Sequence, residues 1–259
     1  MNKTLYAFGD SFTNYFWPMW PEILGQSFQQ VKNFGESGCG NYRIFQQFNE
    51  LFSNVDNPTV IVQWTDPCRF DSFDRNYNWF NLGEESAEVF YKNKKLYHLN
   101  AEELTVCKQL SYMVSIANFL QLLGIDWYYI FLNKASCVHT YNVIKDNNSV
   151  SHTIFNLQYK LLQFKNRIID TEDLTSHMEK INMPKKFSSF NGQIAFADGH
   201  PTPIFTYSFI KEHLLQNIEN LNNDKMFEYS QKSENIIQST KIKDTLFLNK
   251  SHQKQLEKY

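Results

Sequence analysis

Ser11 closes a Gly9-Asp10-Ser11 turn after the apolar run Lys3 to Phe8, and Asp198-Gly199-His200-Pro201 lies near the other end of the chain. A serine hydroxyl becomes nucleophilic only beside a base, and the base needs a partner that fixes its tautomer and stabilises its charged form. His200 is the candidate base, and Asp198, two residues earlier, can reach back toward its Nδ1. Pro201 biases His200 toward extended backbone. Thr202-Pro203 reads as an N-cap followed by proline at the first helical position, so the pair sits on a turn at a helix start. Backbone amides after Ser11 can hold a developing oxyanion. The chemistry these groups suggest is acyl transfer through a serine.

Such residues are useful only if a scaffold brings them together. Val31 to Phe34, Thr59 to Trp64 and Asp126 to Leu132 are further continuous apolar runs, the pattern of strands buried on both faces. Helix-period stretches lie between them, at about Trp20 to Gln29, Tyr42 to Phe52, Ala101 to Leu123 and Ile204 to Leu221. Alternating strands and helices predict a three-layer α/β/α sandwich around a central parallel sheet of about five strands. Ligands of such sheets bind outside the carboxyl ends of the strands. Five of the nine glycines, Gly9, Gly35, Gly38, Gly40 and Gly199, fall in candidate loops beside Ser, Asn, Asp or His. The loops after the first three strands would bring Ser11, Gly38 to Asn41 and Gln63-Trp64-Thr65 around one crevice.

Four short blocks in order make the chain resemble the GDSL or SGNH family of serine esterases, whose fold is of the flavodoxin-like α/β/α kind. Gly9-Asp10-Ser11-Phe12-Thr13 is similar to the nucleophile block, and Asn33-Phe34-Gly35-Glu36-Ser37-Gly38 to the second block, whose glycine amide joins the oxyanion hole. Asp198 to Pro201 resembles the last block. The resemblance implies Ser11 as nucleophile, His200 as base, Asp198 as its orienter, and the amides of Ser11 and Gly38 as oxyanion donors. It departs at the third block, where the family has Gly-x-Asn-Asp and this chain has Gln63-Trp64-Thr65-Asp66. Thr65, through its hydroxyl, or Asn41, through its amide, is the expected replacement donor. The aspartate stands two residues before the histidine rather than the more usual three, as in branches similar to alginate O-acetyltransferases.

Other readings compete for several of these residues. Ser11 could cap a helix, and Asp10 could brace its turn through backbone hydrogen bonds or face substrate. Arg43 and Arg69 lie just past crevice loops and could hold a substrate anion, although a salt bridge is the simpler use. Trp64, Tyr77 and Trp79 are candidates for stacking on a sugar. Cys137 with His139 is a thin thiol–imidazole alternative, and the remaining histidines are expected to be solvated or structural.

Composition narrows the function classes. The chain has 259 residues, 42% hydrophobic and 20% charged, with a net charge of −2. That excludes a disordered chain and lacks the positive field of a nucleic-acid binder. The four cysteines show no metal-ligand spacing. The first 30 residues carry no signal-like run and no window is apolar enough to span a bilayer, so the expected compartment is cytoplasmic. Residues 1–221 are expected to form the α/β domain. An aromatic insertion at about 66–100 is expected to be a hairpin or lid, and 222–259, with seven lysines and five acids, a polar extension, helical or partly ordered. The expected activity is hydrolysis of a small, acetyl-like ester, on a carbohydrate by preference, without metal or organic cofactor. An O-acyltransferase on a saccharide and a non-catalytic carbohydrate binder are the alternatives. Oligomeric state is left open.

Overall fold

In the computed structural model, Thr4–Phe8 (β1) and Thr59–Trp64 (β3) are buried along their whole length, as continuous apolar runs require. The structure describes residues 3–15, 17–54, 58–66, 69, 71–73, 79–81, 101–132, 149–169, 173–180 and 200–239. Gln30–Asn33 (β2) and Asp126–Phe131 (β6) complete a four-stranded sheet of order β2-β1-β3-β6. All three pairings are parallel, with Ala7 opposite Asn33 on one side and Ile61 on the other. The α/β class is as expected. Ile168 adds an isolated parallel bridge to Tyr129 at the outer edge of β6, and the Ile169 amide donates to the Tyr129 carbonyl at 2.9 Å. Where a central sheet of about five strands was expected, that sheet has four among the described residues, with this isolated bridge at its edge.

The helices are Trp20–Gly25 (α1), Asn41–Leu51 (α2), Ala101–Leu122 (α3), Ser149–Leu162 (α4), Leu174–Lys180 (α5), Pro203–Phe209 (α6) and Asn223–Ser239 (α7). α6 runs into a π-turn at Ile210–Leu214. Within the aromatic insertion, Asp71–Phe73 (β4) and Trp79–Asn81 (β5) form an antiparallel pair. The Asp71 carboxylate accepts the amides of Gly40 at 2.6 Å and Arg43 at 2.9 Å. It therefore satisfies the first amides of α2 from outside that helix, where negative charge is favoured.

Two cores result, one on each face of the sheet, because successive strand residues point to opposite faces. Leu5, Ala7, Ile61, Tyr128 and Ile130 pack against α1, α6 and α7. Tyr6, Phe8, Val60, Val62, Trp64, Trp127 and Tyr129 pack against α2, α3 and α4. No helix among the described residues is long and apolar enough to cross a membrane.

The polar segment beginning at Asn222 contributes to this packing. α7 lies against α1 and α6, and Met226, Ser230 and Ser233 form its buried stripe. Two of the three inward residues are small and polar, which is why hydrophobic periodicity does not reveal the helix. Met226→Ala should cost about 2–5 kcal/mol in urea unfolding, whereas a solvated extension would lose less than about 0.5 kcal/mol.

Candidate active site

The order in which strands are added to the sheet reverses at β1. β2 lies on one side of β1 and β3 on the other, so the loop after β1 opens at a topological switch point. Gly9 is needed there for close approach: a Cβ would lie 2.0 Å from Thr13 Oγ1 and 2.9 Å from Gln63 Cβ. The Asp10 carbonyl then accepts the Thr13 and Asn14 amides at 2.9 and 3.1 Å, closing a turn that carries Ser11.

Ser11 and His200 meet. Ser11 Oγ and His200 Nε2 are 2.7 Å apart, and both residues are buried. The imidazole is packed by the Ser11 loop itself. Tyr15 stacks on it with a 3.9 Å centroid separation and 10° between planes, and Phe12 lies at 4.6 Å. Trp17 packs edge-on against Tyr15, and its indole Nε1 donates to the Pro201 carbonyl at 2.7 Å. His200 is thus gripped both through its ring and through the backbone of the next residue. Tyr15 and Trp17 were not picked out from the sequence; their only signal there is an aromatic cluster directly after the nucleophile turn. Asp198 and Gly199 lie outside the described residues, as do Cys137, His139 and Tyr77; the Trp79 side chain is likewise outside.

Asp10 turns inward and is fully buried. Its Oδ1 accepts the Phe12 amide at 2.9 Å and Gln63 Nε2 at 2.6 Å, and its Oδ2 accepts the Thr65 hydroxyl at 2.9 Å and Arg69 at 2.8 Å. Of the readings open for these two residues, Asp10 braces its turn instead of facing substrate, and Arg69 makes a salt bridge to it through one guanidinium nitrogen. The same contacts correct Thr65 as an oxyanion donor, since its one hydroxyl hydrogen goes to Asp10.

Asn41 is equally committed. Its amide nitrogen donates to the Thr65 carbonyl at 2.9 Å and to Gln109 Oε1 at 2.8 Å, while its Oδ1 accepts the Thr65 amide at 2.9 Å. Both amide hydrogens are used, so Asn41 locks the end of β3 instead of offering a donor to the crevice. Trp64 is fully buried and meets Tyr129 edge-on at 5.5 Å; it belongs to the core, and no sugar can stack on it. Arg43 donates to Glu36 at 2.9 Å and lies 3.6 Å from Glu50, which is the salt-bridge use rather than a substrate contact.

Gly38 occupies the left-handed region, with φ of 80°, and is exposed, with open space where a Cβ would stand. Neither its amide nor that of Ser11 donates to another described residue. The second block is braced by Asn33, whose amide donates to the Thr13 carbonyl at 2.9 Å and to Glu22 at 2.6 Å. Burial pushes the Glu22 carboxyl above its ordinary value, against the hydrogen bonds it accepts from Asn33 and from the Met19 amide. Cys39, near the same loop, is no rival nucleophile: burial first, then the charges of Asp10, Asp71 and Glu36, push its thiol well up, so it stays protonated.

Asp10→Asn retains the shape but removes the charge facing Arg69 and presents donors to donors. It should lower stability by about 3 kcal/mol in urea unfolding. Arg69→Ala, open to water on one side, should cost about 1.5 kcal/mol and leave KM for an ester unchanged. A raised KM at unaltered stability would instead restore a substrate role.

No protein-family model and no curated protein sequence matches the chain. Solved structures do. A protein assigned to the lipolytic G-D-S-L family from Desulfitobacterium hafniense DCB-2 is 12% identical, covering 90% of this chain and 99% of that one, with a TM-score of 0.37. A catalytic mutant of Axe2, an acetylxylan esterase from Geobacillus stearothermophilus, is 12% identical over 86% and 98% of the two chains, with a TM-score of 0.42. LAE5, an alpha/beta hydrolase enzyme from the metagenome of Lake Arreo, Spain, is 11% identical over 81% and 94%, with a TM-score of 0.39. The solved structures to which the chain is similar therefore include members of the GDSL family, which its four sequence blocks also resemble.

Proposed function

We propose that the chain is a serine-dependent ester hydrolase of the GDSL/SGNH type. The observation that carries this reading is the 2.7 Å contact between Ser11 Oγ and His200 Nε2 across 189 positions of sequence. Nothing about helix capping would require an imidazole there, and the distance is that of a nucleophile and its base.

In the proposed reaction Ser11 Oγ attacks the ester carbonyl carbon as His200 Nε2 takes its proton. The carbonyl oxygen becomes an oxyanion held by the amides of Ser11 and Gly38. Collapse of the tetrahedral intermediate breaks the bond to the alcohol, which leaves with the proton from His200. Water, deprotonated by His200, then attacks the acyl-serine; the bond to Ser11 Oγ breaks, Oγ takes the proton back from His200, and the acid is released. Asp198 is assigned to orient the imidazole and stabilise its charged form. The substrate class follows the resemblance of the sequence blocks: a small acyl ester, acetyl on a carbohydrate by preference.

A fluorophosphonate probe should label the wild type and fail to label Ser11→Ala, with hydrolysis of an aryl acetate lost in parallel. Thr65→Val should keep kcat within about tenfold, because a lost oxyanion donor costs 10²–10³. A loss in that larger range would return Thr65 to the hole. Release of acetate in water with no transfer to an added saccharide supports hydrolysis, whereas dominant transfer identifies an acyltransferase with the same pair.

Tyr15 is assigned a positioning role through its stack on His200. Tyr15→Ala should lower kcat by about tenfold or more with KM little changed, and Tyr15→Phe should restore kcat because the ring alone makes the stack. Failure of phenylalanine to rescue would mean that the hydroxyl, not the ring face, matters.

A further inference from the structure

His177, Glu212 and His213 bring their ligand atoms within 4.8 Å of one another. Glu212 and His213 project from the π-turn after α6, a geometry that recurs at functional sites. His177 comes from α5 and is buried. Its Nδ1 faces Glu212 Oε2 at 3.9 Å, while its Nε2 lies 3.2 Å from Ser208 Oγ. Lys180 donates to the other Glu212 oxygen at 2.6 Å. The His177 and His213 rings are nearly perpendicular at 5.3 Å, and each also rests on the buried Phe209 ring.

We propose that His177, Glu212 and His213 form a binding site for a divalent transition-metal ion, zinc by preference. Two imidazoles and one carboxylate make a borderline donor set, better suited to zinc than to magnesium or calcium, which select oxygen ligands. The outer contacts have the form that metal ligands use. Ser208 fixes one ring nitrogen of His177 and turns the other toward the carboxylate, and Lys180 holds the carboxylate oxygen that points away. Phe209 supplies an apolar floor. Tetrahedral zinc with bonds of about 2.1 Å spaces its ligand atoms about 3.4 Å apart, so small rotations of these side chains close the site, leaving the fourth position to water.

The placement gives the ion a consequence. His177 precedes and Glu212 follows the stretch of chain that carries His200, so a metal here would clasp the two ends of the segment bearing the proposed base. The site itself does not rest on ester chemistry and can be tested apart from it.

Chelator-treated full-length protein is titrated with zinc chloride by calorimetry, and separately with cobalt(II), whose visible absorption reports tetrahedral ligation. Wild type and Ser11→Ala should each bind about one zinc at this site, with a raised Tm. Glu212→Gln and His213→Ala, both at accessible positions, should each weaken zinc binding by at least about tenfold and lose the cobalt band and the rise in Tm. Absence of zinc binding, binding undiminished in both variants, or calcium binding as tightly as zinc overturns the site and leaves a histidine–glutamate–lysine ion pair. Loss of activity in Ser11→Ala with zinc binding intact separates this proposal from the esterase reading.

Discussion

A fully buried carboxylate without partners is costly enough to unfold a domain of ordinary stability. Asp10 survives only because four donors converge on it, and each comes from a part of the chain that the site needs. The Phe12 amide belongs to the turn that presents Ser11. Gln63 and Thr65 close β3, and Arg69 roots the segment that leads to β4. The charge therefore acts as a knot among the loops at the carboxyl ends of β1 and β3. Gln63 extends it, since its Oε1 accepts from Thr13 and from the Trp20 indole, each at 3.0 Å. A buried network with every member satisfied holds one arrangement, while any missing donor leaves a buried charge exposed to error.

His200 is held by different physics. Its loop is joined to the Ser11 loop by stacked rings, by an indole-to-carbonyl hydrogen bond and by the contact of its own Nε2 with Ser11 Oγ. Aromatic faces restrict tilt while permitting small slides, so they fix the plane of the imidazole without fixing its charge. The two halves of the proposed catalytic pair are thus secured by unlike means: charge and hydrogen bonding under the serine, apolar packing around the histidine.

Much of this was legible in the sequence, for identifiable reasons. β1, β3 and β6 are continuous apolar runs with no rival helical length, and Ser11 and His200 stand in recognisable turns. Trp64 was open to misreading because an aromatic beside a crevice loop invites a stacking role. Strand parity decides otherwise: Trp64 shares a face with Val60 and Val62, and that face is covered by α2 and α3. Thr65 and Asn41 had the right chemistry for an oxyanion hole, but a donor's direction depends on partners far away in sequence, Asp10 for one and Gln109 for the other. Tyr15 and Trp17 were hidden for a related reason, since their target lies on a loop nearly the whole chain away.

The substitution in the third block then takes on a structural meaning. A threonine whose hydroxyl is drawn into the Asp10 network leaves the crevice with the two backbone amides of Ser11 and Gly38 as oxyanion donors in the proposed mechanism. Removing one donor from such a hole costs about 3–4 kcal/mol in the transition state. Yet the same threonine contributes to the buried charge that sets the serine turn, so restoring an asparagine at position 65 would not simply add a donor. It would replace the hydroxyl that donates to Asp10, whose other partners are the Phe12 amide, Gln63 and a partly exposed Arg69. The Thr65 hydroxyl donates to Asp10 and cannot at the same time serve the proposed oxyanion, because one hydroxyl hydrogen can be donated only once.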